Sequence, residues 1–521
     1  MSLVEPISRA WRVDAGWPGP RAAGLGLALG LTLAIVAGFA TSVTDWTPGA
    51  LLALPLVMLG AVWIAGGAAT ALLGLALRPD PEPPVPAGWR PASRTALLVT
   101  LCKEDPAPLA AHLVALRAGL DRVGLDAGAH IFVLSDTSGA AAIAAEEAAF
   151  APLIEAGTVT YRRRAENTGR KPGNIADWLA VHGDRFEHMM VLDADSRMSP
   201  DRIRRMIHRM DRTPALGLLQ AGLALVPGRT RFGRHQRTGV RLLSRGFGRG
   251  FAAWTGDSGN YWGHNAIMRV AAFRSAAALP VLPGRAPFGG ALLSHDFIEA
   301  AWIRRAGWAV ALDPDMTGSA EDAPQTLAAF HARDRRWCQG NLQHLRLLAA
   351  PGLDPVSRLH LLMGVLSYLV APVWLVLIAL IALGLVPVAG ALPLLVAALV
   401  LLIPKLCALV EGLCRSRSWA RRAVILRAWV GELATSTLIA PLVMLRQAGA
   451  VLAVCLGRDC GWKTARRAGP TLPCGTVEAV AGAALVTLAV ATSGSAALWL
   501  APVALPLCCA PLIVPVLDRA A

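Results

Sequence analysis

Four stretches of this chain carry no charged residue and are long enough to cross a lipid bilayer: residues 22–44, 46–77, 361–404 and 479–517. A helical span needs about 20 apolar residues, because hydrocarbon offers no partner to backbone polar groups. The third stretch holds two spans around a turn signal, GLVPVAGALP at 384–393. The fourth is broken by SGS at 493–495. Six spans are expected. Between 428 and 456, Glu432 and Arg446 leave uncharged stretches too short to span, which reads as interfacial or re-entrant helix. If both stretches crossed, the count would be eight with the same parity.

The composition agrees with a membrane protein. The chain is 55% hydrophobic and 16% charged, against about 25% charged for a soluble domain. That excludes a disordered or collagen-like chain and argues against a purely soluble enzyme. Formal net charge is +15, almost all of it arginine, since the only lysines are Lys103, Lys171, Lys405 and Lys463. In a basic membrane protein this points to anionic lipid headgroups and a phosphate-bearing substrate, not to nucleic acid. The nine cysteines are scattered, with no CxxC pair and no zinc spacing, and read as reduced thiols. The first apolar run is too long for a signal-peptide core and has no clear cleavage site. Arg9, Arg12 and Arg21 precede it and place the N-terminus in the cytoplasm by the positive-inside rule. The same rule returns 78–360 and 405–475 to the cytoplasm, so both termini are expected there.

Residues 78–94 are Pro-rich and read as a linker. From residue 95 the period changes. Short apolar runs at 95–101, 130–134, 158–161, 189–192 and 216–220 read as buried strands. Helical stretches at 107–123, 140–155, 174–182 and 200–210 lie between them. Such alternation predicts an α/β domain, a parallel sheet wound with helices on both faces. Ligands bind beyond the carboxyl ends of such strands. There the sequence puts KED (103–105), SDTSG (135–139) and DADS (193–196). An isolated strand-end Asp such as Asp136 is often a helix N-cap. Asp193 and Asp195, two residues apart, suit a divalent cation that bridges a diphosphate.

RKPGNIADW at 170–178, VLDADS at 191–196, WGHNAI at 262–267, PGRAPFGG at 283–290, SHDFIEAA at 294–301 and RDRRWCQGNLQH at 333–344 complete the pattern. Together they resemble the family 2 inverting glycosyltransferases, among them the membrane-bound processive enzymes of the cellulose synthase type. The likeness is strongest to the glucosyltransferases that make osmoregulated periplasmic glucans. It covers residues 95–350 well and the flanking apolar runs in layout only. It implies a GT-A, Rossmann-like mixed-sheet cytoplasmic domain inserted in an α-helical polytopic bundle. The expected division is 1–77 with two spans, 78–94 linker, 95–350 transferase domain, 351–410 two spans, 411–475 cytoplasmic or interfacial helices, and 476–521 two spans.

The resemblance further implies a bacterial inner-membrane enzyme that polymerises glucose from UDP-glucose into a β-1,2-linked glucan and passes the growing chain outward. Acyl carrier protein is an associated partner in that family. Asp296 is then the base that deprotonates the acceptor hydroxyl, with His295 and Glu299 flanking it. Asp193 and Asp195 hold Mg²⁺ or Mn²⁺. Asp136, Asp193, Glu104, Lys171 and Arg336 contact the donor, Lys171 from a helix N-terminus suited to anions. Trp337, His264 and Asn265 line the acceptor path. Two departures stand out. The first strand ends in LCKED where the family has a Tyr-Asn-Glu type, and Arg333 stands where the wider family's Gln-x-x-Arg-Trp motif has Gln. The chain is also shorter at both ends than the family's long members. The rival readings are a non-processive glucosyltransferase acting on a lipid, and a transporter whose domain has lost catalysis. Two basic segments remain. The row Arg231, Arg234, Arg237, Arg241, Arg245 and Arg249 falls on one face if helical, either solvated or along headgroups. RDCGWKTARR at 458–467 lies where processive synthases keep a mobile loop over the donor pocket.

Overall fold

The computed structural model describes residues 19–77, 82–276, 279–460, 474–492 and 494–520. Arg9, Arg12 and most of the 458–467 segment lie outside these residues. The chain opens with two apolar helices, α1 (Pro20–Ala40) and α2 (Pro48–Ala76). Thr47 caps α2, its hydroxyl accepting from the Ala50 amide.

An α/β domain follows. Its elements run β1 (Thr95–Leu101), α3 (Pro106–Arg122), β2 (Ala129–Ser135), α4 (Ala140–Glu155), β3 (Thr160–Arg163), α5 (Arg170–His182) and β4 (His188–Asp193). After them come β5 (Arg197–Met198), α6 (Pro200–Arg212), β6 (Leu216–Ala221), β7 (Ala224–Leu225), α7 (Arg231–Thr255), β8 (Ala266–Arg269) and α8 (Val270–Ala276). Last are α9 (His295–Arg305), β9 (Ala309–Asp313), β10 (Ser319–Glu321) and α10 (Leu327–Gln343). All five strands expected from the sequence are present, each within two residues of its expected bounds at either end.

The main sheet has the order β3-β2-β1-β4-β8-β6-β9. It is mixed, because β8 runs antiparallel to both β4 and β6. The wholly parallel sheet that periodicity predicts is corrected here, and the mixed sheet implied by the family resemblance is what the chain forms. The short strand β8 escaped notice because its four residues show no alternation of their own. β1 shows why these strands read as unbroken apolar runs. Ala96 and Leu98 pack into the core on one face, and Leu97, Val99 and Leu101 into the core on the other. On the first face Phe132, Trp178 and Phe186 meet with ring centroids 5.4–5.6 Å apart. Trp178 is on α5, so this cluster fixes the helix whose first turn bears Lys171. A small second sheet, β5-β10-β7, closes one side of the cleft.

The remaining helices are α11 (Pro355–Ala382), α12 (Leu392–Arg415), α13 (Trp419–Cys455), α14 (Thr476–Thr492), α15 (Gly494–Cys508) and α16 (Ala510–Asp518). Among the described residues, α1, α2, α11, α12 and α13 are long and apolar enough to cross a membrane. Residues Leu500–Cys508 and Ala510–Asp518 form a pair bent by 65° that adds a sixth, and α14 is shorter. The two short stretches read from the sequence as interfacial or re-entrant within 428–456 belong to one continuous helix, α13, of 37 residues. Glu432 and Arg446 do not interrupt it because each is paired. Lys405 Nζ lies 2.5 Å from Glu432 Oε2, and Arg446 Nε 2.5 Å from Glu478 Oε1.

The bundle has two distinct ends. At one, Val43 bridges Val388, and the Thr492 hydroxyl donates to the Ala382 carbonyl. At the other, the bundle meets the domain. Here α7 crosses α2 so closely that a Cβ on Gly250 would lie 1.9 Å from the Thr70 carbonyl oxygen. The Leu327 amide donates to Asp518 at 2.9 Å, so the end of α16 returns to the domain. Both halves of α13 touch domain elements as well. Gly239 of α7 faces Glu432, and the Asp459 carboxylate, just past the C-terminus of α13, accepts from Gln339 Nε2 at 2.7 Å.

Candidate active site

The carboxyl ends of β1, β2 and β4 are adjacent, and the strand-end acids meet there. Asp193 ends β4. Its Oδ1 accepts from the Lys171 ammonium and, at 3.1 Å, from the Thr100 hydroxyl of β1. Lys171 Nζ also donates to the Gly263 carbonyl at 2.7 Å. Gly263 has φ +91°, a conformation that only glycine adopts freely, and this turns its carbonyl to Lys171. Lys171, Asp193 and the WGHN segment, far apart in sequence, are thereby one unit. Lost solvation works against the Asp193 anion, but Lys171 and then His264 outweigh it and bring its pKa down to about 2.

Asp195 behaves oppositely. Lost solvation and then the Asp193 charge push its carboxyl above the usual range. A carboxylate raised by a neighbouring carboxylate gains from any added cation. Among the described residues no group of three His, Cys, Asp or Glu forms a closed metal cage. Two carboxylates still fit Mg²⁺ or Mn²⁺, since Mg²⁺ keeps several waters and binds through one or two carboxylates plus substrate phosphates.

On the other side of the cleft, His264 Nε2 stands 3.2 Å from Glu321 Oε2 of β10. Burial disfavours the imidazolium, but Glu321 and Asp193 outweigh it and bring His264 up to about 9. Asn265, at φ +50°, is fully buried. Its amide donates to the Ser319 hydroxyl at 3.0 Å and to the Ala320 carbonyl at 3.3 Å. The side chain therefore ties the WGHN turn to β10 and does not face the cleft.

Asp296 lies in the first turn of α9. A Cβ on Gly263 would stand 3.6 Å from its Oδ2, so it borders the same turn that Lys171 grips. Burial and then the nearby Glu299 charge raise Asp296 above the usual range, with His295 opposing. His295 Nδ1 lies 3.2 Å from Glu299 Oε1. The buried Tyr261 feels the charges of Glu299, Asp193 and Asp296 alike.

The other expected residues are placed less centrally. Asp136 follows β2 beside this cluster, but Arg164 holds both its oxygens, at 2.7 and 3.0 Å. Glu104 is exposed, and its Oε2 accepts from the Cys102 amide at 2.5 Å in the turn after β1. Trp337 on α10 is 45% exposed, and the Arg333 guanidinium lies 4.4 Å from its ring centroid. Arg336, one residue before Trp337, is half-buried, and its charge acts on Arg333.

Three residues in this constellation escaped the sequence reading. Arg164 clamps Asp136 and also reaches Asp177 at 3.0 Å. It lies in an arginine run after β3 that gave no signal beyond charge. Glu321 sits on a three-residue strand too short to show a pattern. Arg333 was noted only as a departure from a motif, yet burial disfavours its cation while the charges of Glu321, Asp195 and Asp334 favour it. The cleft thus carries cations from Lys171, His264 and Arg333 facing acids from Asp193, Asp195 and Glu321, with Asp296 at its edge. Chemically, it can hold a polyanion and keep one carboxylate beside it.

Comparison with known proteins finds similar sequences over most of the chain. A model described as glycosyl transferase family group 2 matches residues 188–388. The glucans biosynthesis glucosyltransferase H of Bradyrhizobium diazoefficiens is 40% identical over 512 residues, covering 88% of this chain and 66% of that protein. The protein of the same name from Xanthomonas campestris pv. campestris is 37% identical over 524 residues, covering 89% of this chain and 80% of the relative. The chain therefore spans about two thirds of the length of the first of these relatives. Among solved structures, a mannosyltransferase from Pyrobaculum calidifontis in complex with GDP-Man and Mn²⁺ superposes with a TM-score of 0.48 at 15% identity. That match covers 78% of this chain and 98% of the other.

Proposed function

From the premise that the chain belongs to the glucans biosynthesis glucosyltransferase H family, we propose that it is a membrane-embedded, inverting β-glucosyltransferase that takes UDP-glucose as donor and extends a glucan processively. The observation that carries this reading is the shared grip of Lys171 on Asp193 and on the Gly263 carbonyl, with Asp195 open beside it and Asp296 bordering the same turn. An inverting transfer is one in-line displacement at the anomeric carbon. It needs a base on the acceptor side and positive charge on the departing diphosphate side. Asp296 is the base in this reading: its carboxylate takes the acceptor hydroxyl's proton, and the raised pKa suits that task at neutral pH. Lys171, with Arg336, faces the diphosphate. Asp136 and Arg164 together face the nucleoside, and Trp337 offers its exposed ring face to the sugar. Asp193 and Asp195 would hold Mg²⁺ or Mn²⁺, whose positive charge would offset the negative charge of the leaving diphosphate.

The proposed topology follows the contacts of the two bundle ends. α1, α2, α11, α12, α14 and the bent α15–α16 pair cross the inner membrane. α13 lies along its cytoplasmic face, since Glu432 in its first half faces α7 and Asp459, just past its C-terminus, meets α10. The domain and the C-terminal end of α16 are then cytoplasmic, and the bundle passes the glucan outward.

Purified protein given labelled UDP-glucose tests the reading. UDP release together with a long, linkage-analysable glucan supports it. A single glucose on a lipid would favour the non-processive alternative. No UDP release from any sugar nucleotide would overturn it.

A further inference from the structure

Three arginines converge on one carboxylate where the bundle meets the domain. Glu411 lies in the last turns of α12 with its side chain 11% exposed. Arg249 of α7 stands 2.7 Å from its Oε1, Arg415 of α12 3.9 Å and Arg245 of α7 4.0 Å. Arg249 is held twice, since it also donates to the Gly74 carbonyl at 2.8 and 3.1 Å. Arg245 and Arg415 are different: their side chains are more than half exposed, and both reach Glu411 only at the limit of an ion pair. One carboxylate against three guanidiniums leaves an excess of two positive charges at this spot.

The surroundings say what the excess is for. Arg417 and Arg421 are exposed in and just after the α12–α13 turn, and Trp419 between them is 80% exposed with Arg422 over its ring at 5.0 Å. Up the same helix, α12 exposes Leu399, Leu406 and Val410. Leu406 and Val410 are four residues apart and share a face. An apolar stripe that runs along a helix into exposed arginines and a tryptophan matches the boundary between acyl chains and headgroups.

We infer that the surface between α7 and the α12–α13 turn binds the phosphate of an anionic phospholipid, its acyl chains lying along Leu399, Leu406 and Val410 and its phosphodiester taken by Arg245 and Arg415. Guanidinium forks match phosphate oxygens in pairs. A zwitterionic headgroup brings its own cation and gains less from the excess charge. This binding rests on the membrane placement proposed above and not on the transferase reading.

The test uses the full chain, purified in detergent and incubated with equimolar phosphatidylglycerol and phosphatidylcholine, with retained lipids counted by native mass spectrometry. Wild type should retain phosphatidylglycerol preferentially. The Arg245→Gln/Arg415→Gln variant should lose that preference by about tenfold, since each basic side chain at an anionic surface contributes severalfold. The Arg231→Gln/Arg234→Gln variant, which removes two exposed arginines from the other end of α7, should keep it. Glu411→Gln should strengthen it, because the competing carboxylate is gone. Equal retention of the two lipids by wild type, or an unchanged preference in the Arg245/Arg415 variant, would overturn the site. If that variant does not fold, an absence of gain in Glu411→Gln overturns it instead.

Discussion

Lys171 and Asp193 come from different elements, the first turn of α5 and the end of β4, and are joined by an ion pair whose lysine also holds the Gly263 carbonyl. One ammonium thus couples the Asp193 carboxylate to the turn that borders Asp296. It also keeps Asp193 ionised, with a pKa near 2, in a cleft where lost solvation alone would raise it.

Replacing that ammonium should therefore act on donor binding and on geometry together. Lys171→Met removes a charge-assisted contact of about 1.5–3 kcal/mol. Donor kcat/KM is expected to fall by about 10–100-fold, with most of the loss in KM. Steady-state kinetics with varied UDP-glucose checks this, and an unchanged KM would remove Lys171 from the donor side.

Divalent cation is expected to be required. Asp193 and Asp195 supply too few ligands to hold a metal tightly without phosphate oxygens, so EDTA should abolish transfer reversibly and Mg²⁺ or Mn²⁺ should restore it. Asp195→Asn should raise the metal concentration needed for half-maximal rate. Full activity in EDTA would contradict the role given to the pair.

How much of this was legible in the sequence depends on the range of the interaction. β1, β2 and β4 were readable because both faces of the sheet bury their side chains, which writes an unbroken apolar run. Asp136, Asp193 and Asp195 were readable because strand ends are where ligands gather. β8 and β10 were not, since three or four residues show no period, and the pairings that make them strands join distant parts of the chain. The clamp of Arg164 on Asp136 and the pairing of His264 with Glu321 are likewise side-chain meetings that no spacing announces. Asn265 was expected on the acceptor path, but a fully buried amide bound to Ser319 and Ala320 belongs to the scaffold. The continuity of α13 was hidden for a related reason. Glu432 and Arg446 look like interruptions until Lys405 and Glu478 neutralise them.

α13 also supplies a test of topology. It is long enough to cross, yet Glu432 in its first half and Asp459 just past its C-terminus both meet domain elements. Reporter fusions after Arg417 and after Arg458 are expected to give cytoplasmic signals, as is one after Ala520. A periplasmic signal at either of the first two would mean that α13 spans, and the count of crossings would change.

Asp296 is expected to be the base. It borders the Gly263 turn, whereas Asp193 is held by Lys171 and Asp136 by Arg164. Of the remaining acids, Glu299 is 4% exposed and lies against His295, which leaves it little access to an acceptor hydroxyl. Burial and Glu299 raise Asp296, with His295 opposing; a carboxylate raised above its usual range takes up a proton more readily at neutral pH. Asp296→Asn keeps the size and removes the basicity. Turnover should drop by about 10²-fold or more, the usual scale for a general base, while UDP-glucose affinity measured by calorimetry stays near wild type. If affinity fell in proportion to rate, Asp296 would be a donor ligand. If turnover held, the base would lie elsewhere, with Glu299 the next residue to substitute.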